Sequence, residues 1–267
     1  PYFAEIITGF ENAAIDNDYL VSICTGQRET EKYIQHLIAR RIDGVFITGL
    51  PYMSDQRYHE IISSMVDGDV RVLINGIILK DCRDISHIYV DHTLGIEKAV
   101  AHLKNMGHTC IAMLSTFARN NTFDPSDRLF FSAMEKMLPD SEPIFVGEIA
   151  TRNPDMDSSY RLMQKLMAEH PEVTAVLCLN DLMAYGAIQA ISDKGKSVPG
   201  DISVVGMDDI YISTKFSPSL TSIGFNKLEY GKLAFDVLHR HIRHNTVDDV
   251  TVSTELFIRD STGPVHR

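Results

Sequence analysis

Cysteine is scarce in this sequence, and its distribution excludes several kinds of site. The chain has four cysteines, and they show none of the paired spacings of a disulfide framework or a zinc site. Cys24, Cys110 and Cys178 fall in predicted buried strands, where cysteine behaves as a small apolar residue. We therefore expect free thiols, no metal ion, and a protein of the reducing cytoplasm.

Long apolar runs and a secretory leader are also missing. No apolar stretch reaches the length that a membrane-spanning helix needs, and no basic segment followed by an apolar one opens the chain. We therefore expect no membrane partner, and a secreted binding protein is disfavoured. Because the chain opens on Pro1 instead of a methionine, we expect it to be trimmed, with any upstream signal or domain outside it.

The motifs of common enzymes are absent as well. The sequence contains no nucleophile elbow, no Walker loop and no glycine fingerprint after a strand. His108 and Cys110 would point to opposite faces of a strand, so they do not form a nucleophile and its base. His239, His241 and His244 lack a further ligand at suitable spacing, and we interpret them as a solvated helix end. We therefore expect a protein that is not an enzyme and needs no cofactor.

Basic residues are outnumbered, with 25 Lys and Arg against 36 Asp and Glu and a formal net charge of -11. This balance argues against binding of nucleic acid by the chain itself, because binding to a phosphate backbone requires clustered cations. The hydrophobic content of 44% and charged content of 23% are typical of a globular protein. With 267 residues, the chain has enough core for one large domain or two smaller ones.

Predicted strands and helices alternate along the chain, which indicates βαβ units on parallel sheets. The predicted strands are 19–24, 44–48, 70–74, 88–90, 110–114, 144–146, 175–179, 202–205 and 250–258. The predicted helices are 3–14, 29–40, 58–66, 93–105, 129–137, 158–168, 181–194 and 228–242. This number of strands is too large for one small sheet, so we predict an α/β protein with two similar halves.

Polar side chains follow several of these strands directly. Thr48, Asp91, Asn180 and Asp208 each stand at the carboxyl end of a strand, which is the edge of an open α/β sheet where small ligands bind. Carboxylates and amides there can hydrogen-bond the hydroxyls of a sugar or nucleoside. Asn180 and Asp181 are also ordinary helix caps. We assign the cap to Asp181, and for Asn180 both alternatives stay open at this point.

The chain also resembles the LacI/GalR family of bacterial transcription regulators over nearly its whole length. The matching residues include Asn180-Asp181-x-x-Ala184-x-Gly186, Val198-Pro199-x-Asp201-Ile202-Ser203-Val204-Val205-Gly206-x-Asp208-Asp209, Pro218-x-Leu220-Thr221, Arg41-Ile42-Asp43-Gly44-Val45, Gly107-His108 and Arg259-Asp260-Ser261. The resemblance implies two Rossmann-like parallel-sheet lobes of periplasmic-binding-protein type I architecture, joined by three crossing strands. One lobe would comprise residues 1–91 and 224–250, and the other residues 92–223 and 251–267.

The resemblance places effector-binding residues at Asn180 and Asp208, and it adds others to the expected effector site. The predicted set is Tyr2, Phe3, Thr48, Asp91, Arg128, Ile149, Asn180 and Asp208. The aromatic pair could stack on a flat ligand, as similar pairs do in members resembling the purine repressor, although Phe3 fits a core position equally well. Arg128 departs from the family pattern because no glycine follows it, and a surface ion pair with Asp127 or Glu135 is the alternative.

The function implied by the resemblance is an effector-binding and dimerisation domain. A small molecule would bind between the lobes and control operator binding by an upstream helix-turn-helix, which this sequence does not contain. A homodimer is expected, and Tyr185 and Phe216 match subunit-contact positions, although both also suit an ordinary core. The alternative is a sugar-binding protein of an ABC transporter or chemoreceptor system. An α/β enzyme would need a catalytic set that the sequence does not supply.

Overall fold

The structure, a computed structural model, describes residues 2–24, 30–48, 55–76, 84–117, 125–149 and 155–265. The elements in chain order are α1 (Tyr2–Asp16), α2 (Thr30–Ala39), β1 (Gly44–Ile47), α3 (Asp55–Asp67), β2 (Arg71–Asn75), β3 (Ile85–Asp91), α4 (Thr93–Asn105), β4 (Ile111–Phe117), α5 (Pro125–Met137), β5 (Ile144–Ile149), α6 (Met156–Glu169), β6 (Ala175–Cys178), α7 (Asp181–Asp193), β7 (Ser203–Met207), a short 3₁₀ helix (Tyr211–Thr214), β8 (Thr221–Gly224), α8 (Lys227–His244), β9 (Asp249–Ser253) and β10 (Glu255–Phe257).

The chain forms two compact units, each made of two stretches of sequence. The first unit comprises Pro1–Val90 and Asn226–Val252, and the second comprises Asp91–Phe225 and Ser253–Arg267. The lobe limits expected from the family resemblance lie one or two residues from these. The α/β class with parallel sheets in two lobes is confirmed.

The first unit contains a four-stranded sheet in the order β1-β2-β3-β9. β1 pairs with β2 and β2 with β3, both in parallel. α1 lies directly against α8, because glycines remove the side chains at their contact. A Cβ on Gly9 would meet the backbone of Leu228, and one on Gly231 would meet the carbonyl oxygen of Ile6. Ala13, Ala14 and Phe235 fill the buried seam beside them.

Residues 19–24 do not form the predicted strand. The segment is extended, but within the described part of the chain it pairs with no other strand, and Leu20 is fully exposed. Tyr19 nevertheless packs on Phe235, with ring centroids 5.9 Å apart. An apolar run becomes a strand only when a neighbouring strand takes its backbone hydrogen bonds. Cys24 is consequently exposed, which corrects the buried position expected for it.

The second unit contains a six-stranded sheet in the order β10-β8-β7-β6-β4-β5. Its strands are parallel except for β10, which runs antiparallel to β8. Ala112 and Leu114 of β4 face a core shared with α6 and α7, whereas Ile111 and Met113 face a core shared with α4 and α5. Because helices cover both faces, β6 and β7 are buried along their whole length, as their continuous apolar sequences predict.

The predicted final strand, residues 250–258, is divided in the structure at Thr254. β9 joins the sheet of the first unit, and β10 joins the sheet of the second. Thr254 donates its backbone N–H and its hydroxyl to the carbonyl oxygen of Asp91, each at 3.2 Å. No helix within the described residues is both long and apolar enough to cross a membrane.

Candidate functional site

Asn180, not Asp181, caps the helix that follows β6. Asn180 has the extended backbone of a capping residue, with φ −151° and ψ 170°, and its Oδ1 accepts the backbone N–H of Met183 at 2.8 Å. The sequence assigned this cap to Asp181, and that assignment is wrong. The side-chain oxygen of Asn180 therefore already accepts a hydrogen bond from α7. A ligand role for Asn180 would rest mainly on its amide nitrogen.

Asp181 is fully buried and accepts three hydrogen bonds. Oδ2 accepts the backbone N–H of Ile210 at 2.8 Å and the hydroxyl of Ser213 at 2.6 Å. Oδ1 accepts the hydroxyl of Ser222 at 2.5 Å. Burial raises the pKa of Asp181 to about 6, and these donors oppose that rise. The three donors thus offset part of the cost of removing this carboxylate from water.

Asp208 lies in a turn whose backbone is held from two sides. Asp208 and Asp209 have positive φ values, 104° and 46°, which are uncommon for residues with a side chain. The N–H of Asp208 donates to the carbonyl of Ile223 at 2.7 Å, and that of Asp209 donates to the hydroxyl of Ser222 at 3.0 Å. The neighbouring strand β8 therefore fixes the direction in which this turn leaves β7.

Arg259 supports the same turn by contacting the side chain of Asp209. Its guanidinium donates to Oδ1 of Asp209 at 2.6 Å and to the carbonyl of Leu220 at 2.6 Å. Both partners of the ion pair are largely buried, with 17% and 18% of their side chains exposed. A Cβ on Gly224 would collide with Asp209, so glycine is required beside the turn. Sequence reasoning did not assign this role to Asp209 or Arg259.

Asp91, at the end of β3, is engaged by the first residue of α4. Its Oδ1 accepts the backbone N–H of Thr93 at 2.9 Å and the hydroxyl of the same residue at 2.6 Å. The hydroxyl and then the N–H of Thr93 hold the pKa of Asp91 below its ordinary value. The carboxyl is therefore ionised near neutral pH and serves the start of the helix.

Thr48 belongs to a polar chain at the carboxyl ends of β1 and β2. Asn75 donates to Oγ1 of Thr48 at 2.9 Å, and Tyr230 donates its hydroxyl to Oδ1 of Asn75 at 2.7 Å. Burial raises the pKa of Tyr230, which keeps its hydroxyl protonated. Asn75 was missed in the sequence, although it stands directly after the predicted strand 70–74, as the other polar strand ends do.

Tyr2 and Phe3 form an edge-to-face aromatic pair at the start of α1. Their ring centroids are 5.0 Å apart with an interplanar angle of 83°. The side chain of Phe3 is 41% exposed, so it is not a core residue. An exposed aromatic surface is thus present in the first unit at the predicted position.

The remaining predicted contacts lie in the second unit. Arg128 is exposed on α5, whereas Asp127, one of its two alternative ion-pair partners, is buried. Ile149 ends β5, and its side chain lies outside the described part of the structure.

His108 and Cys110, weighed above as a base and its nucleophile, have surroundings that suit neither role. Both ring nitrogens of His108 are occupied, Nδ1 by the hydroxyl of Thr174 and Nε2 by the carbonyl of Gly263, each at 2.9 Å. Burial raises the pKa of the Cys110 thiol, which disfavours the nucleophilic thiolate. His241 is buried, so the interpretation of the histidine set in α8 as a solvated helix end is wrong for this residue. No cluster of metal ligands occurs among the described residues.

Tyr185 and Phe216 are in contact with each other. Their ring centroids are 4.7 Å apart, and Tyr185 donates its hydroxyl to the carbonyl of Ile212 at 3.2 Å. Tyr185 is 6% exposed, whereas Phe216 is 55% exposed. Tyr211, 70% exposed, stands on the 3₁₀ helix just before Phe216. The exposed apolar surface at this place is therefore formed by Phe216 and its neighbours, with Tyr185 beneath them.

Comparison with known proteins supports this fold and places the chain in a family. A periplasmic binding protein-like domain matches residues 100–262. A LacI family transcriptional regulator from Enterococcus faecium with bound ribose superposes with a TM-score of 0.83 at 22% identity, covering 100% of this chain and 96% of that chain. The HTH-type transcriptional repressor PurR of Mannheimia succiniciproducens is 31% identical over 269 residues, which is 98% of this chain and 77% of that protein. The chain belongs to the LacI family of transcriptional regulators.

Other relatives agree with this assignment. The PurR repressor of a Haemophilus influenzae strain is 31% identical over 270 residues, again 98% of this chain and 77% of that protein. The dimeric Lac repressor superposes with a TM-score of 0.79 at 25% identity and covers 98% of this chain and 94% of that chain. This LacI-family chain is therefore the effector-binding domain of a transcriptional regulator, as the sequence motifs predict.

Proposed function

We propose that this domain binds a hydroxyl-bearing small molecule, a sugar or nucleoside, through Asn180 and Asp208. The observation that carries the proposal is the parallel pairing of β6 with β7, which places the carboxyl ends of these two strands side by side. Asn180 and Asp208 stand at those ends, and the turn bearing Asp208 is fixed by Ile223 and Ser222. A preorganised pair of this kind loses little freedom when a ligand binds.

The chemistry of the two side chains suits polyhydroxyl ligands. A carboxylate accepts hydrogen bonds from two adjacent hydroxyls, and an amide nitrogen donates to a hydroxyl or ring oxygen. LacI-family structures similar to this chain hold ribose, lactose or glucose. The predicted contacts Tyr2, Phe3 and Thr48 remain part of the proposal, since an aromatic face next to polar groups suits a sugar ring or a base.

We further propose that the bound effector controls operator binding by a DNA-reading segment upstream of this chain, in a cytoplasmic homodimer. The net charge of -11 favours DNA contact through another segment. The PurR relatives are HTH-type repressors, which supports regulation over transport. An effector achieves such control by binding one arrangement of the protein more tightly than another. We propose binding without catalysis, since His108 is occupied and the Cys110 thiol is protonated.

The site is tested by calorimetry after a thermal-shift screen of sugars, nucleosides and bases has supplied a binding compound. Asp208→Ala should weaken binding of that compound at least tenfold, because a hydrogen bond to a charged group is worth roughly 1.5–3 kcal/mol. Asp201→Ala is the matched control, since Asp201 precedes β7 at its other end and accepts the N–H and hydroxyl of Ser197. The affinity of Asp201→Ala for the compound should equal that of the wild type.

Asn180 needs two variants because it also caps α7. Asn180→Ala removes the cap and the amide, and it should cost about 1 kcal/mol of stability in addition to affinity. Asn180→Asp keeps an oxygen for the N–H of Met183 and replaces the donating nitrogen. It should therefore retain the helix and still bind the compound more weakly. Unchanged affinity in both Asp208→Ala and Asn180→Asp would place the binding site elsewhere.

A further inference from the structure

We propose that Asp181 is a positioning residue that joins the turn presenting Asp208 to the segment carrying Phe216. The inference rests on the function proposed above, because Asp208 and Phe216 have their ligand and subunit roles only there. Asp181 itself is fully buried. It acts through the groups that its two oxygens hold.

One branch leads from Asp181 to the Asp208 turn. The hydroxyl of Ser222 donates to Oδ1 of Asp181 at 2.5 Å and accepts the N–H of Asp209 at 3.0 Å. The carboxylate is thus one hydroxyl away from the backbone that sets the direction of Asp208. The N–H of Ile210 adds a direct contact to Oδ2 on the other side of the turn.

The second branch leads to the exposed aromatic surface. The hydroxyl of Ser213 donates to Oδ2 of Asp181 at 2.6 Å, and Ser213 is buried within the 3₁₀ helix. That helix leads into Phe216, and the carbonyl of its Ile212 accepts the hydroxyl of Tyr185. The ring of Tyr185 packs against that of Phe216. A displacement of the 3₁₀ helix would therefore move Tyr185 and, with it, the ring of Phe216.

A carboxylate is the side chain that this junction requires. Three donors converge on two oxygens, one each from the turn, the 3₁₀ helix and β8. A group that only accepts hydrogen bonds satisfies all three donors. An ionised acceptor in a buried site also forms stronger hydrogen bonds than a neutral one. Gly206 makes room for Oδ1 of Asp181, because a Cβ at position 206 would collide with this oxygen. The two segments therefore cannot relax independently.

Amide hydrogen exchange tests the junction without any effector. Ser213→Ala removes the donor from the 3₁₀ helix, and Ser222→Ala removes the hydroxyl next to Asp209. Each variant should speed exchange at least tenfold in both segments, residues 207–210 and 211–216. Ser203→Ala is the control, because its buried hydroxyl serves Gly263 at the opposite end of β7, and it should leave both segments unchanged.

The amides of β6 in the same samples report global unfolding, and they should stay protected. Asp181→Asn, of nearly equal volume, removes one acceptor oxygen and should loosen both segments together. Faster exchange confined to the segment that carries each serine substitution, or to one segment in Asp181→Asn, would overturn the proposal. Coupled exchange together with unchanged affinity of Asp208→Ala would contradict the proposed binding site alone.

Discussion

Asn180 and Asp181 are adjacent in the sequence and chemically alike, yet their side chains have different roles. Both residue types are good helix caps, so local preference cannot choose between them. The structure decides by backbone position, because Asn180 has the extended conformation and Asp181 already belongs to α7. The donors that surround Asp181 come from residues 29 to 41 positions away, and no local pattern reveals them.

The raised pKa of Asp181 has a consequence for stability. Because burial raises this pKa from 3.8 to about 6, the folded protein binds the proton more tightly than the unfolded chain. The ionised group therefore costs at most about 3 kcal/mol above pH 6, and that cost disappears as the pH falls towards 3.8. Asp181→Asn has no ionisable group at this position and lacks this pH-dependent cost. The wild type should therefore gain stability relative to the variant as the pH falls.

Urea titrations of the wild type and Asp181→Asn near pH 7 and near pH 5 measure this difference. The free energy of unfolding of the wild type relative to the variant should be greater at the lower pH. A difference that does not change between the two pH values would show that Asp181 keeps its ordinary pKa in the folded protein.

At the scale of elements, the contact between α1 and α8 depends on the absence of side chains. Alanine normally favours a helix over glycine by about 1 kcal/mol. At Gly231, however, the added Cβ would meet the carbonyl oxygen of Ile6 in α1. Close approach of two helix backbones therefore outweighs helix preference at this position.

Gly231→Ala should consequently destabilise the protein by about 2 kcal/mol, the cost typical of an overpacked core. Lys232→Ala, at the exposed neighbouring position of α8, should change stability by less than about 0.5 kcal/mol. Thermal unfolding of the wild type and of both variants measures these differences in stability. A stabilised Gly231→Ala would mean that the two helices separate easily.

Alternating apolar patterns identified the α/β class, the βαβ order and every described α-helix, because these depend on local sequence. The pattern failed at residues 19–24 and at Thr254, and it missed β8, because strand formation at these places depends on partners distant in the sequence. The candidate site followed the same rule. Strand-end positions such as Thr48 and Asp208 were visible in the sequence, whereas the supports of the turn, Asp209 and Arg259, depend on long-range contacts.

At the scale of the whole molecule, the exposed aromatic residues mark the surface at which the proposed homodimer would form. Phe216 and Tyr211 are exposed, whereas a soluble surface usually presents large aromatic side chains singly. Tyr185, being buried, would contribute by supporting Phe216.

Phe216→Asp should therefore convert the proposed dimer to a monomer, because a charge in an apolar interface loses its water without gaining a partner. Tyr33→Asp is the control, since Tyr33 is 48% exposed on α2 of the first unit. Sedimentation velocity of both variants at several concentrations distinguishes the two states. If Phe216→Asp sediments as the wild type does, the subunit contact lies on another surface.

The division of each unit into two stretches also affects how the protein is made. α8, the helix on which α1 packs, is synthesised only after residues 91–225. At roughly 5–20 residues per second, α1 waits on the order of ten seconds at the ribosome without its partner. The parallel strands β4 to β7 emerge during that interval. We therefore expect the second unit to acquire most of its sheet before α8 is available to cover the apolar face of α1.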